Sequence, residues 1–268
     1  MSTPWHDADV TIDTHTFHYL RTGNGRKPPL LLLHGFSDNG RCWQQLAQDL
    51  EATYDVIMPD SRGHGRSARI QPGTPLDNAA DADALINALG LEKPIVAGHS
   101  MGGLTATELG ARYPHLAKAI ILEDPAWLDR PTTPEPPQEN PFFTWLQQMD
   151  GLPLPEVIAF GQASNPAWPE AEFPAWATAK QQLDKTIFGA LHMDKPWRDF
   201  VSALAVPTLL ITAEVERGAI ITPALAQEAT SRSAHLQIAH VPDAGHNIRR
   251  ENYPAYVQAI RAFLATIN

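Results

Sequence analysis

Ser100 lies in Gly98-His99-Ser100-Met101-Gly102, between the apolar run Pro94 to Ala97 and a stretch of helical spacing over 101–112. This is the pattern G-x-S-x-G in a strand–turn–helix setting. A serine at so tight a turn projects its hydroxyl outward only if the residues two before and two after lack side chains, and Gly98 and Gly102 fill those places. Gly103 additionally lets the following helix sit close to the strand. The chemistry implied is nucleophilic attack on a carbonyl. A serine hydroxyl is a weak nucleophile near neutrality and needs a base within hydrogen-bond reach, itself oriented by a third group. His246, in Asp243-Ala-Gly-His-Asn after the last strand-like run, fits the base. His99 adjoins the serine and is expected to point elsewhere, while His34 and His64 sit in glycine-containing turns where they are expected to tether backbone. Between Phe200 and Pro242 there is no aspartate, so an acid at the end of the run Pro207 to Thr212 must be Glu214, Glu216 or a more distant glutamate.

Short β-rich runs alternate with helical ones along the chain, and each run ends where small or polar residues begin. They cover 28–33, 54–58, 94–97, 119–122, 207–212 and 235–241. None alternates apolar with polar residues, as expected of strands covered on both faces of a parallel sheet. Trp43, Leu46, Ala47 and Leu50 mark one helical stripe, and Tyr256, Ile260, Phe263 and Leu264 mark another. Pro254 suits a first helical turn and Gly90 suits a helix end. Residues 9–22 read as an antiparallel hairpin at the sheet edge. The βαβα order makes the fold α/β.

One region departs from this order. Residues 125–196 hold 12 of the 24 prolines and four of the seven tryptophans, Trp127, Trp145, Trp168 and Trp176. Prolines divide helices into short pieces, and so many aromatics argue against a solvated linker. The segment therefore reads as a small helical cap, with 131–141 as the loop leading into it. Residues 1–124 and 197–268 form the core. A net charge of −10 argues against a nucleic-acid surface or a polybasic membrane anchor. No apolar run approaches the roughly 20 residues needed to span a bilayer. Cys42, the single cysteine, builds neither an intramolecular disulfide nor a thiolate metal site. The first residues show no basic segment followed by an apolar run, so the expected location is cytoplasmic. No metal cluster with ligand spacing appears, and Gly23-Asn-Gly25 precedes prolines rather than opening a helix, so neither metal nor dinucleotide is expected.

With these motifs together, the chain resembles the α/β-hydrolase superfamily over nearly its whole length outside the cap. That resemblance implies a mostly parallel, doubly wound sheet with the cap inserted after the sixth strand. It implies the order nucleophile, acid, histidine, matched by Ser100, Glu216 and His246. In Ala213-Glu-Val-Glu216 the second acid aligns with the family's usual aspartate, and Glu214 is the fallback. Some members take the acid from the end of the sixth strand, where Asp124 stands. The resemblance also makes His34-Gly35-Phe36 the oxyanion turn, with the backbone N–H groups of Phe36 and Met101 as donors. A serine nucleophile disfavours epoxide hydrolases and haloalkane dehalogenases. The expected activity is cofactor-free hydrolysis of a carboxylic ester or lactone. Alternatives are carbon–carbon bond hydrolysis with the same residues, or a slow-turnover ligand receptor. The acidic, aromatic cap suggests a neutral, apolar small molecule, with Phe36 and Trp127 as pocket residues. Arg62, Arg66, Arg249 and Arg250 are expected in surface salt bridges. Oligomeric state and natural substrate have no sequence signal.

Overall fold

The computed structural model describes residues 5–71, 76–129, 139–190 and 196–267. Eight strands form one sheet in the order β1-β2-β4-β3-β5-β6-β7-β8. The hairpin β1 (His6–Ile12) and β2 (His15–Arg21) forms one edge, and β2 pairs antiparallel with β4 (Asp55–Pro59). The remaining strands, β3 (Pro29–Leu33), β5 (Ile95–His99), β6 (Ala119–Glu123), β7 (Thr208–Thr212) and β8 (Leu236–His240), run parallel with β4.

Strand side chains divide between two apolar layers. Leu31, Leu33, Val96, Ile120, Leu122 and Leu210 face helices α2 (Asn78–Ala88) and α3 (Met101–Arg112), joined there by residues of α7 (Trp197–Ser202) and α8 (Pro223–Arg232). Leu30, Leu32, Ala97, Ile121, Leu209 and Ile211 face α1 (Gln44–Leu50) and α10 (Tyr253–Thr266), joined there by Ile248 of the short α9 (Ile248–Glu251). Because both faces are covered, β4, β5, β6 and β7 are buried along their whole length. β8 departs from that expectation. As the last strand of the sheet it is covered unevenly, and Ile238 is 42% exposed. Both helical stripes read from the sequence are buried. Pro254 lies in the first turn of α10, and Gly90 follows α2 with a positive φ of 61°.

Between β6 and β7 the chain forms α4 (Pro141–Gln147), α5 (Leu154–Ser164) and α6 (Phe173–Gln182). These carry their own apolar cluster, with Leu146, Val157, Trp168, Phe173, Trp176 and Ile187 at its centre. Most of the lead-in loop expected at 131–141 lies outside the described residues. No helix among the described residues is long and apolar enough to cross a membrane.

Candidate active site

The carboxyl ends of β3, β5, β6 and β8 converge, and the chain bends sharply at each. Ser100 begins α3 with φ 51° and ψ −113°, a sparsely populated conformation that costs a non-glycine residue about 1–3 kcal/mol. Neighbouring backbone fixes it there. Its N–H donates to Glu123 O (3.0 Å), and its carbonyl accepts from Leu104 N and Ala126 N, each at 3.0 Å. The flanking glycines are required by space. A Cβ on Gly98 would stand 2.1 Å from Gly102 O, and one on Gly102 would stand 2.1 Å from Leu33 O.

Ser100 Oγ lies 3.1 Å from His246 Nε2, and His246 Nδ1 lies 2.6 Å from Asp124 Oδ2. Asp124, fully buried at the end of β6, also accepts from the backbone N–H groups of Ile220 and Ile221 at 2.8 and 2.9 Å. Its φ of 38° is a left-handed value that aspartate tolerates better than most residues. The carboxylate at His246 is therefore Asp124, and the expectation of Glu216 is corrected. After β7 the chain turns outward through a short 3₁₀ turn, Val215–Arg217, which leaves Glu216 exposed. Glu214 pairs with Arg217 (2.8 Å) and accepts from Asp243 N (3.2 Å), bracing the loop before His246 rather than the imidazole. What the β7 loop supplies to the site is the pair of N–H groups at 220 and 221, held on a carboxylate from the neighbouring strand.

The turn His34 to Phe36 passes directly beside the serine. A Cβ on Gly35 would lie 3.6 Å from Ser100 Cβ and 2.7 Å from His99 Nδ1. Among the described residues, neither the Phe36 N–H nor the Met101 N–H has a hydrogen-bond acceptor, so both remain available as donors. His34 and His64 tether this turn. His34 Nε2 accepts from Ser61 N (3.0 Å), and its Nδ1–H donates to Gly35 O (2.8 Å). Both nitrogens of His64 face carbonyls, those of Phe36 and Arg62. Burial pushes its pKa down to about 3. The neutral ring has one proton, which goes to the nearer oxygen, that of Phe36. His99 does point away from the serine hydroxyl, and its Nε2–H donates to His246 O (2.9 Å). Burial, reinforced by Arg249, holds His99 well below the usual imidazole range.

Around these residues lies a buried charge cluster built on Arg249 and Arg250, which the sequence reading placed at the surface. Asp38 Oδ2 accepts from Arg249 Nη2 (2.8 Å) and Arg250 Nη2 (2.9 Å), and its Oδ1 lies 3.3 Å from Lys180 Nζ. Glu123 accepts from the Arg249 backbone N–H (3.0 Å) and guanidinium (3.2 Å), and Glu172 accepts from Arg250 Nε (3.0 Å). Trp43, Trp168 and Trp176 cover Arg249, Arg250 and Lys180 at 4.3, 4.8 and 4.8 Å. Burial works against the Asp38 anion, but Arg250, Lys180 and Arg249 outweigh it and hold its carboxyl well below the usual range. Arg62 is also buried, paired with Asp81 at 2.6 Å. Arg66 is half exposed and pairs with Asp7 (2.5 Å). Cys42 is buried too, with its thiol pushed up to about 12 by burial.

Of the two expected pocket residues, the structure brings one to the site. Phe36 is half-buried and meets Phe142 (5.7 Å) and Phe188 (5.0 Å) from the segment between β6 and β7. Trp127 is corrected. It is 1% exposed, stacks on Trp197 at 5.0 Å and donates to Thr107 Oγ1 at 3.1 Å behind α3. The tight turn after Asp124, in which Trp127 N–H donates to Pro125 O (2.8 Å), carries the indole into the sheet core instead of the cleft.

The sequence profile of the Alpha/beta hydrolase family matches residues 30–259. The chain belongs to this family. As an alpha/beta hydrolase it is 27% identical over 275 residues to N-formylmaleamate deformylase of Pseudomonas putida, covering 98% of each protein. It is 37% identical to lipase LipV of Mycobacterium tuberculosis over 117 residues, which are 44% of this chain and 43% of the lipase. Several other curated relatives are likewise matched over less than half their length. The crystal structure of E-2-(acetamidomethylene)succinate hydrolase superimposes with a TM-score of 0.78 over 98% of this chain and 100% of that one, at 20% identity, a likeness of fold.

Proposed function

We propose that this alpha/beta hydrolase cleaves carboxylic esters or lactones through an acyl-enzyme on Ser100. The observation that carries the reading is the unbroken chain from Ser100 Oγ through His246 to Asp124, at 3.1 and 2.6 Å, beside two uncommitted backbone donors. In this reading His246 Nε2 takes the serine proton as Oγ attacks the carbonyl carbon. Asp124 fixes the tautomer by accepting Nδ1–H and stabilises the imidazolium that forms. The N–H groups of Phe36 and Met101 receive the developing oxyanion, a contribution worth about 3 kcal/mol per donor. His246 then protonates the leaving alcohol, and water, activated by the same imidazole, releases the acid. No metal or cofactor is required by these steps.

The substrate is proposed to be neutral and apolar. Phe36, Phe142 and Phe188 offer aromatic surface at the cleft, and the buried cations Lys180, Arg249 and Arg250 are engaged by Asp38, Glu123 and Glu172. A second reading, hydrolysis of an activated N-acyl bond, is supported by the full-length similarity to a deformylase. Both are tested by steady-state turnover of p-nitrophenyl esters, neutral lactones and N-acyl imides by wild type and Ser100→Ala. Ester or lactone turnover that disappears in the variant is expected. Turnover confined to the imides would move the assignment to the second reading, and full activity in Ser100→Ala would remove both.

A further inference from the structure

Three consecutive carbonyl oxygens in the turn after β3 are each held by a side chain. His34 Nδ1–H holds Gly35 O, His64 Nε2 holds Phe36 O, and Lys180 Nζ holds Ser37 O at 2.8 Å. The first two donors belong to the sheet core. The third comes from α6, 143 residues away in sequence. Lys180 is 6% exposed, its ammonium lies over the Trp176 ring, and its second contact is Asp38 Oδ1. A buried lysine in such a setting costs desolvation, so its two oxygen partners are needed to hold it.

The connection from Lys180 to the oxyanion site runs through rigid units. Ser37 O, which Lys180 grips, and Asp38 N–H belong to one planar peptide group. Asp38 N–H donates to Gly35 O at 3.0 Å. Gly35 O and the Phe36 N–H share the next planar group, so the direction of that N–H follows from where Gly35 O is held. The Asp38 side chain closes the arrangement through Arg249 and Arg250, which follow His246 by three and four residues.

Building on the serine-hydrolase reading, we propose that Lys180, acting through Ser37 and Asp38, is a positioning residue that aims the Phe36 N–H at the oxyanion site. Seating of the cap helix and formation of a competent oxyanion turn are then one event. The residue touches no substrate, and its effect falls on the transition state, where the oxyanion exists, rather than on binding of the ground state.

The test uses p-nitrophenyl acetate, whose acyl group is too small to report on the cap wall, together with the rate of Ser100 labelling by a fluorophosphonate. Lys180→Met is expected to lower kcat by about tenfold to a hundredfold, less than the roughly 10²–10³ of deleting a donor outright. KM should change by less than about threefold, the split that marks an interaction made in the transition state. Labelling should slow in parallel. The double variant Asp38→Asn/Lys180→Met removes one buried charge of each sign and leaves Arg249 and Arg250 facing Glu123 and Glu172. It is expected to melt at a higher temperature than Asp38→Asn alone while its kcat stays low, and it decides the matter if Lys180→Met does not fold. Wild-type kcat and labelling in Lys180→Met, a loss confined to KM, or turnover that recovers with stability in the double variant would each overturn the proposal. Wild-type protein that the fluorophosphonate does not label would instead defeat the serine-hydrolase reading on which it rests.

Discussion

Replacing Asp124 by asparagine is expected to abolish nearly all turnover, whereas Glu216→Gln is expected to leave it within about twofold of wild type. The asparagine Oδ1 can still accept from Ile220 and Ile221, at 3.1 and 2.9 Å from that oxygen, so the loop stays anchored and only the 2.8 Å bond from Ile220 to Oδ2 is lost. Its amide NH₂ then faces His246 Nδ1, where a carboxylate oxygen now sits at 2.6 Å. Two donors cannot share that contact, so the imidazole proton moves to Nε2, 3.1 Å from Ser100 Oγ. The base has lost the lone pair that receives the serine proton, and the imidazolium has lost its counter-charge. Triads of this kind lose about 10⁴-fold in kcat through the tautomer change, or about 5 kcal/mol at roughly 1.4 kcal/mol per factor of ten. The assay is kcat on whichever ester wild type turns over fastest, with thermal melts to show that both variants fold. A Glu216→Gln protein more impaired than Asp124→Asn would refute the assignment of the acid.

Trp127→Ala should destabilise the fold by about 3–5 kcal/mol in urea unfolding, because the indole fills core space against Trp197, while KM of the folded protein stays unchanged. A raised KM with little loss of stability would return Trp127 to the pocket. His64 makes stability pH-dependent. Its folded pKa is depressed to about 3 from an unfolded value near 6.5, so between those limits the unfolded chain binds a proton that the native state does not. Stability from this group is full above about pH 6.5 and falls as pH is lowered, by up to about 1.4 kcal/mol per unit. His34 and His99 are depressed by burial in the same direction. His64→Gln should therefore reduce, without abolishing, the slope of unfolding free energy against pH between about 4.5 and 6.5. An unchanged slope would contradict a neutral, buried His64.

Local features of the chain were readable where short-range sterics dictate them. Gly98 and Gly102 are needed by a turn five residues long, and the backbone clashes a Cβ would meet there explain why Ser100 could be singled out from its neighbours alone. The helical stripes follow from periodicity and the β-rich runs from short unbroken apolar stretches, patterns that burial on one or both faces imposes directly. His246 was legible because it follows the last strand at the end of the sheet where the serine emerges. Partners chosen across the sheet were not. Glu216 and Asp124 both close apolar runs, and which carboxylate reaches His246 depends on the outward turn at Val215–Arg217 and on the N–H groups of Ile220 and Ile221, close in space to Asp124 but 96 and 97 residues away in sequence. Trp127 likewise adjoins the acid in sequence, yet one tight turn sends it to the opposite layer. Arg249 and Arg250 read as surface charge because sequence shows the arginines and not the enclosure of Asp38, Glu123, Glu172 and two indoles around them. Desolvated ion pairs require partners that converge from four separate segments, and only the tertiary structure brings those segments together.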